Sequence, residues 1–496
     1  MSKYILLPII FICSLAFCQK KIDPTPEHIS LAKKLKTQFE DDDIIILNSK
    51  ENIRFSLSKN DNKVKVTHHN NEELMNISSR ADIQKYITYD GESSIEKFKI
   101  LYRNKKEASF NIKDEAISDD NMFHHDAIVK YTNIDFPVQG YKYYLESIKD
   151  TDDIKYFTSI YFTDQYHTLK KEIRFIIPDW LNIELKEMNF NGYEIIKKET
   201  HSEKTQARVV TYKIKNIKGM YDEKQTPGPS YLYPHILVLA KSFQAKDKTH
   251  KLFNETKDLY NWYKSLVDSM DEQPHELKDK VTELTKNAST DEEKIKNIYY
   301  WVQDNIRYIA FEDGIAGFKP DESQNVFKKR YGDCKGMANL TKQMLKLAGF
   351  DARLTWIGTK RIAYDYSTPS LSVDNHMICT LFKDGKKIFL DGTEKFNSFG
   401  EYAERIQGKQ VLIENGDDYI LAEVPVNPAK KNKETYHFSA KITEDALSGN
   451  VSRTYDGESR ASFLYYFNSL KNDKKKDAMT YYLNNDDKNL LVTDIK

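Results

Sequence analysis

The stretch of sequence that decides the fold runs Tyr331-Gly332-Asp333-Cys334-Lys335-Gly336-Met337-Ala338-Asn339-Leu340. Gly332 and Asp333 are typical of a turn followed by a helix cap. Apolar side chains then recur at the spacing of one helical face, and Gly349 ends the pattern. Those apolar residues are Met337, Leu340, Met344 and Leu347 or Ala348. The spacing predicts an amphipathic helix with Cys334 in its first turn.

A cysteine at the start of a helix can serve as a nucleophile. The first N–H groups of a helix have no partner within it, and the positive end of the helix dipole favours a thiolate there. The same N–H groups could stabilise the oxyanion that forms during acyl transfer. The alternative interpretation of Cys334 is a small structural cysteine, because buried cysteines are common.

A thiolate nucleophile usually works with a base and a carboxylate that orients the base. Downstream of Cys334, two apolar segments that contain His376 and Asp391 are joined by Asp384-Gly385. This dipeptide between alternating segments predicts a two-residue hairpin in which Lys383 pairs with Lys386. In that register His376 and Asp391 are diagonal neighbours on one face, roughly 7–8 Å apart at the backbone and within reach of a hydrogen bond.

The same alternation places Cys379 on the face opposite His376, so Cys379 is predicted to be a core residue. A disulfide between Cys334 and Cys379 is thereby disfavoured, although it stays open for an exported chain. Taken singly, His376 fits an ordinary core or surface histidine and Asp391 fits a strand-end cap. Cys334, His376 and Asp391 in this order are more specific, and they are the predicted catalytic residues.

Residues from about Ile295 to Asp391 resemble the transglutaminase-like superfamily, whose active-site logic is related to that of papain-like cysteine enzymes. The matching positions are Trp301-Val302, Tyr308, Gly332-Asp333-Cys334, the segment from Leu347 to Arg353, His376 and Asp391. The resemblance implies that Cys334 attacks an amide or ester carbonyl to give a thioester. It also implies that His376 moves the proton and that Asp391 orients the imidazole. Lys335 and Asn375 flank the site without an assigned role.

Outward from this core, the pattern predicts a multidomain chain. Alternating segments such as Asp43–Leu47, Lys155–Phe162 and Arg208–Ile214 predict an N-terminal all-β, antiparallel sandwich-like domain over residues 19–250. Helical spacing after Lys251, with a capping box at Thr290 and Glu293, followed by strands predicts a central α+β domain over residues 251–416. A β-rich accessory section, partial or incomplete, is predicted for 417–496. The N-terminal region resembles the domain of unknown function that precedes such modules in exported bacterial proteins.

The first residues favour export. Lys3 precedes an apolar run from Ile5 to Cys18, which is too short to span a bilayer comfortably, and the polar Gln19-Lys20-Lys21 follows. Residues 1–18 are therefore predicted to be a signal peptide, which implies the periplasm or cell envelope. Cys18 as a lipoprotein acceptor is the alternative, although bulky Phe17 makes a poor recognition sequence. No later segment reaches the length of a membrane span.

Composition excludes several function classes. The chain has 75 basic and 75 acidic residues among 496, so no basic excess supports nucleic-acid binding. No glycine-rich loop for a nucleotide is present, and no cofactor is expected. The histidine clusters His124-His125-Asp126 and His68-His69 place neighbouring side chains on opposite strand faces, so no metal site is expected. Asp41-Asp42-Asp43 fits a solvated strand start better than a calcium site.

Two function classes stay open. The first is an exported cysteine acyltransferase or hydrolase that acts on protein, peptide or cell-wall amides. The second is a non-catalytic envelope protein that uses a transglutaminase-like fold as a binding module or scaffold. The sequence leaves the substrate, the second substrate (water or an amine) and the oligomeric state open.

Overall fold

A computed structural model describes residues 22–496, except 60–61, 120–122, 222, 224–225, 312–313 and 486. The predicted signal peptide, with Cys13 and Cys18, lies outside the described residues. Within the described residues, none of the helices combines the length and the apolar character that a membrane crossing requires.

The chain forms two compact units, each discontinuous in sequence. The first, the β unit, contains the described residues up to Trp262 together with Phe311–Gly317 and Arg361–Val373. The second, the α/β unit, contains Tyr263–Ala310, Phe318–Lys360 and Asp374–Lys496. The predicted boundaries at residues 250 and 416 stay predictions.

The β unit is built from three sheets. A seven-stranded sheet in the order β11-β12-β9-β1-β2-β7-β4 is antiparallel except where β1 pairs with β9. In the second sheet β13 pairs with β8, β10 and β14, and in the third β6 pairs with β3 and β5. The strands are β1 (Ile44–Leu57), β2 (Val64–Asn76), β3 (Ala81–Tyr89), β4 (Ser93–Tyr102), β5 (Lys113–Asp119), β6 (Phe123–Phe136), β7 (Lys142–Thr151), β8 (Ser159–Tyr161), β9 (Thr168–Pro178), β10 (Leu181–Met188), β11 (Ile196–Ser202), β12 (Ala207–Ile217), β13 (His235–Ala245) and β14 (Lys248–Lys251).

Apolar side chains from facing sheets form the cores of the β unit. One cluster joins Ile53 of β1 and Phe175 of β9 to Ile183 of β10 and Val238 of β13. A second cluster joins strands β1, β2, β4 and β7 to β3 and β6. Strands such as β9 place buried side chains at alternate positions, and the clusters lie between sheets, which confirms the predicted sandwich-like class.

The β unit differs from the sequence-based expectation in two places. The predicted strand Lys155–Phe162 is wrong in its first half, because the Asp153 side chain accepts a hydrogen bond from the Lys155 N–H (3.1 Å) and starts a 3-10 turn at Ile154–Tyr156. A helix that had not been predicted, α1 (Pro26–Gln38), packs Ala32 and Leu35 against the cluster around Ile45. Its signal is the Thr25 cap followed by Pro26.

The α/β unit packs helices on a five-stranded sheet in the order β20-β19-β18-β21-β22. The helices are α2 (Pro229–Leu232, in the β unit), α3 (Thr256–Asp268), α4 (Lys278–Thr285), α5 (Asp291–Asn305), α6 (Ser323–Lys329), α7 (Cys334–Leu347), α8 (Glu458–Ser469) and α9 (Asn472–Asn484). The strands are β15 (Arg307–Tyr308), β16 (Ala310–Phe311, of which Phe311 belongs to the β unit), β17 (Tyr331–Gly332), β18 (Asp351–Ile357), β19 (His376–Lys383), β20 (Lys386–Leu390), β21 (Gln410–Asn415), β22 (Asp418–Glu423), β23 (Glu434–Ile442) and β24 (Leu447–Tyr455). Short 3-10 turns lie at Pro274–Leu277, Gly314–Gly317, Glu404–Ile406 and Ala429–Lys431.

Both faces of this sheet are covered by apolar groups. The predicted capping box at Thr290 and Glu293 starts α5, which buries Ile298 and Val302 against α7 and the sheet. The opposite face packs on the segment around Ile406. Burying a side chain of this size contributes about 1.5–3 kcal/mol, so this packing holds α7 and the turn that contains Ile406 against the sheet.

The last described segment begins with a hairpin of β23 and β24, which is followed by α8 and α9. The rings of Tyr455, Phe463 and Tyr482 form its aromatic contacts. The hairpin fits the predicted partial β-rich section, whereas the two helices had not been predicted.

Candidate active site

Helix α7 begins at Cys334, as the sequence predicts. Asp333 is the N-cap, and its side chain accepts a hydrogen bond from the Gly336 N–H at 2.8 Å. A Cβ atom on Gly336 would lie 3.0 Å from the Val326 side chain, and one on Gly332 would lie 3.1 Å from it. The two glycines therefore allow the start of the helix to dock closely on α6, which places Cys334.

The hairpin of β19 and β20 has the predicted register. Lys383 pairs with Lys386 and Cys379 pairs with Leu390. Asp384 and Gly385 both have positive φ, at 50° and 72°, as a two-residue primed turn requires. The turn thus brings the start of β19 beside the end of β20, where His376 and Asp391 lie.

His376 and Asp391 form a buried hydrogen-bonded pair. His376 Nε2 lies 2.8 Å from Asp391 Oδ2, and each residue is less than a tenth exposed. The other oxygen, Asp391 Oδ1, accepts hydrogen bonds from the backbone N–H (3.1 Å) and the hydroxyl (2.7 Å) of Thr393. The Tyr299 hydroxyl donates to the Asp391 carbonyl (3.1 Å), which ties the end of β20 to α5.

Cys334 completes this arrangement, because its thiol lies close enough to the His376 ring to raise the pKa of that ring. Since Nε2 of His376 faces Asp391, the other ring nitrogen, Nδ1, is the one that can exchange a proton with the Cys334 sulfur. The structure therefore brings together the three predicted residues, in the order nucleophile, base and orienting carboxylate. Their catalytic roles stay a prediction.

The pKa values of the pair are shifted so that both groups are charged. Burial lowers the pKa of His376, but Asp391 and the hydrogen bond to Cys334 outweigh burial and raise it to about 9. Burial likewise raises the pKa of Asp391, while His376, Arg405 and the Thr393 hydroxyl hold it well below its usual range. An imidazolium beside a carboxylate is the form that stabilises a neighbouring thiolate.

Cys379 is a core residue, which confirms that prediction. It packs in the cluster formed by α5, α7 and the sheet, and burial raises the pKa of its thiol to about 12. Cys334 and Cys379 are both free thiols. The two described cysteines therefore differ in setting, one at the start of a helix beside a histidine and one in an apolar core.

The two flanking residues without an assigned role have local partners. Lys335 is buried and forms an ion pair with Asp333. Asn375 accepts a hydrogen bond from the Thr359 N–H (2.9 Å) and donates one to the Thr359 hydroxyl (3.2 Å). These contacts join the loop before His376 to the end of β18.

The site also contains a cation that sequence analysis had missed. Arg405, in the 3-10 turn at Glu404–Ile406, lies against Asp391, Thr393 and Glu394. The turn lies in a loop between β20 and β21, where neither periodicity nor spacing marks any residue. Only the folded arrangement reveals it.

The histidine clusters that were weighed as metal ligands have other partners. His68 Nε2 lies 2.7 Å from Glu51, and His69 Nε2 lies 3.2 Å from Glu146. The side chain of His125 lies outside the described part of the structure. Within the described part, no group of three or more His, Cys, Asp or Glu side chains has an arrangement that could hold a metal ion.

Comparison with known proteins identifies a family for part of the α/β unit. Residues 278–377 match the family model of the transglutaminase-like superfamily, which confirms the resemblance found in the sequence. The matched segment contains Cys334 and His376 and ends before Asp391. No curated protein matches the sequence.

Solved structures match this chain at low sequence identity. A Parabacteroides distasonis protein, described provisionally as a protease, is 13% identical with a TM-score of 0.55, over 82% of this chain and 78% of that one. A Cytophaga hutchinsonii protein, described provisionally as a cysteine protease, is 14% identical with a TM-score of 0.22, over 48% of this chain and 74% of that one. The first likeness shows a common fold alone, and the second is too distant to carry an argument.

Proposed function

Because residues 278–377 are transglutaminase-like, we propose that this chain is a cysteine enzyme that forms a thioester at Cys334. One observation carries the proposal: His376 Nε2 lies 2.8 Å from Asp391 Oδ2, and the Cys334 thiol at the start of α7 lies close enough to the same ring to raise its pKa. A nucleophile, a base and an orienting carboxylate in this contact are the parts that acyl transfer requires.

The acylation step uses all three residues. His376 takes the proton of the Cys334 thiol, and the thiolate attacks the carbonyl carbon of an amide or ester. The backbone N–H of Cys334, in the first turn of α7, can stabilise the oxyanion that forms. The tetrahedral intermediate collapses as the imidazolium gives its proton to the leaving amine or alcohol, which leaves a thioester on Cys334. Asp391 stays ionised throughout.

The second step releases the acyl group. His376 now takes a proton from water or an amine, which attacks the thioester carbonyl and restores the Cys334 thiol. Water gives hydrolysis and an amine gives transamidation, and both use the same three residues. The substrate class that fits the proposal is a protein, peptide or cell-wall amide.

An iodoacetamide probe on the full chain tests the proposal. Wild type, Cys334→Ala, His376→Ala and the matched control Cys379→Ser are labelled at pH 7, and the modified residue is located by peptide mapping. We expect labelling of Cys334 in wild type and Cys379→Ser, and a loss of at least about 100-fold in the rate for His376→Ala. If wild type is labelled no faster than Cys334→Ala, the proposal fails.

A non-catalytic envelope scaffold is the second candidate, and the burial of the site favours it. Only 5% of Cys334 and 7% of His376 are exposed. A scaffold that retains the fold needs no access to the thiol, whereas an enzyme must open to its substrate. Absence of labelling in folded wild-type protein, with Cys334 shown to be reduced, would favour the scaffold.

We infer that the protein is exported to the periplasm or cell envelope. The support is the charged start and the apolar run between Ile5 and Cys18. Cell fractionation of the wild-type chain and of Leu7→Arg, which interrupts the apolar run, tests this inference. Retention of the variant in the cytosol with the wild type in the envelope is expected. Wild type in the cytosol contradicts the inference.

A further inference from the structure

We infer that Arg405 is a positioning residue for the candidate active site, which fixes the Asp391 carboxylate against His376 and supplies a cation to the site. The inference rests on the proposed function, since it concerns how the same Cys334, His376 and Asp391 are made competent. The inference does not depend on the sequence pattern, because it rests on the contacts of the Arg405 side chain in a loop.

The guanidinium of Arg405 joins four groups of the site. Its Nη2 donates to Asp391 Oδ2 (3.1 Å) and to the Thr393 hydroxyl oxygen (3.0 Å). Its Nε donates to Glu394 Oε1 (2.7 Å). The Nη2 atom also lies 3.2 Å from His376 Nε2. The planar guanidinium therefore reaches two carboxylates at once and carries a positive charge between them.

The protons that Arg405 and His376 carry determine which group between them is the hydrogen-bond acceptor. An arginine can only donate, and His376 Nε2 carries a proton when it donates to Asp391. Two donors cannot bond to each other, so both must share the single acceptor Asp391 Oδ2. With Oδ1 held by Thr393, the whole carboxylate is fixed, and its orientation toward the imidazole follows.

The turn that contains Arg405 is itself anchored. The Arg405 carbonyl oxygen accepts a hydrogen bond (2.7 Å) from the N–H of Lys360, which lies just beyond the end of β18. The next residue, Ile406, is buried in the apolar cluster on the sheet. The backbone hydrogen bond of Arg405 and the packing of Ile406 therefore place the guanidinium, and they reduce the number of rotamers open to the Arg405 side chain.

The charge of Arg405 matters because anions surround it. Asp391 and Glu394 face it directly, the thiolate form of Cys334 interacts with its charge, and His376 is the second cation of the site. The two residues that flank Cys334 in the chain, Asp333 and Lys335, form an ion pair of no net charge. Removal of Arg405 would leave two carboxylates and a thiolate opposite one imidazolium, so the thiolate would form less readily.

The pH dependence of Cys334 alkylation by iodoacetamide tests this inference. The variants are Arg405→Gln, which removes the cation, Arg405→Lys, which keeps it, and the matched control Glu404→Gln on the exposed side of the same turn. The half-rise is the pH at which the alkylation rate reaches half of its maximum. We expect it to move upward by about one pH unit in Arg405→Gln. The half-rise should stay within about 0.3 pH unit of the wild-type value in Arg405→Lys and Glu404→Gln.

The outcomes separate this inference from the proposed function. If wild type shows no Cys334-dependent alkylation at any pH, the proposed function fails. If wild type reacts and folded Arg405→Gln has the half-rise of wild type with only a lower amplitude, Arg405 is merely structural and the inference is overturned. The Arg405 side chain is 40% exposed, so its truncation opens no sealed cavity. Should Arg405→Gln fail to fold, Arg405→Met keeps most of the stem and carries the same expectation.

Discussion

The β unit and the α/β unit each contain a cluster of buried charges, and the two clusters differ in what their charges can do. In the β unit the cluster, here called the charge belt, consists of Glu51, Glu72, Lys85, Asp164 and Lys171. Lys171 lies 2.5 Å from Glu51, and Lys85 lies 2.8 Å from Glu72 and 3.1 Å from Asp164. Every charge of the belt thus has an opposite charge at hydrogen-bonding distance.

The ion pair between Glu51 and Lys171 keeps both of these residues charged. Burial raises the pKa of Glu51, but Lys171 and His68 lower it to about 2, and the acids around Lys171 raise the pKa of that lysine despite its burial. The active-site cluster instead places a thiol beside a histidine with a pKa of about 9, so one proton can pass between them. Buried charge alone therefore does not indicate catalysis, and the proposed function depends instead on a proton that can pass between the Cys334 thiol and His376.

The largest expected effect comes from neutralising the orienting carboxylate. We expect Asp391→Asn to lower the rate of Cys334 acylation by p-nitrophenyl acetate by about 10³-fold, because the amide no longer holds the imidazolium or its tautomer. The initial release of p-nitrophenolate measures the rate. Asp384→Asn in the exposed hairpin turn is the matched control, since asparagine also adopts positive φ, and it should react like wild type. A loss below about tenfold in Asp391→Asn would contradict the triad.

Breaking the charge belt should affect stability and leave acylation alone. Lys85→Met leaves the buried Glu72 and the partly buried Asp164 without their shared cation, and we expect the free energy of unfolding of the β unit to fall by about 3–5 kcal/mol. Urea unfolding measures this loss. The folded fraction should still acylate Cys334 at the wild-type rate.

The control for this variant is an exposed ion pair of the same unit. Lys99 and Glu107 are both partly exposed, and Lys99→Met should change the free energy of unfolding by no more than about 1 kcal/mol. If Lys85→Met and Lys99→Met unfold at the same urea concentration, the belt has no special structural role.

Local signals account for the part of the site that sequence analysis found. Asp333 and the apolar spacing after it predict the start of α7, and the Asp384-Gly385 turn predicts which residues of the hairpin share a face. Each of these signals operates within one helix or one hairpin. Cys334, His376 and Asp391 therefore could be placed without knowledge of the rest of the fold, apart from the docking of α7 against β19.

Long-range pairing explains what sequence analysis missed. Arg405 lies in a loop, and its partners are fixed only when the turn packs through Ile406. The belt residues Glu51 and Lys171 sit on strands far apart in sequence, where charged residues at alternate positions are typical of a solvated strand face. Burial of such residues depends on which sheet covers them, and no single strand contains that information.

The smallest expected effect is the pH dependence of stability that His376 produces. Its pKa is raised in the folded state, so the stabilisation is fully present below the unfolded value near 6.5 and is lost as pH rises through about 9. The free energy of unfolding of wild type should therefore fall on the order of 2–3 kcal/mol between pH 6.5 and 9.5. Urea midpoints at the two pH values measure it. His376→Gln should remove most of this slope, because its side chain does not titrate, whereas Lys85→Met should retain it. An equal slope in wild type and His376→Gln would mean that the imidazolium is not held by Asp391, and the distinction between the two clusters would then rest on the thiol alone.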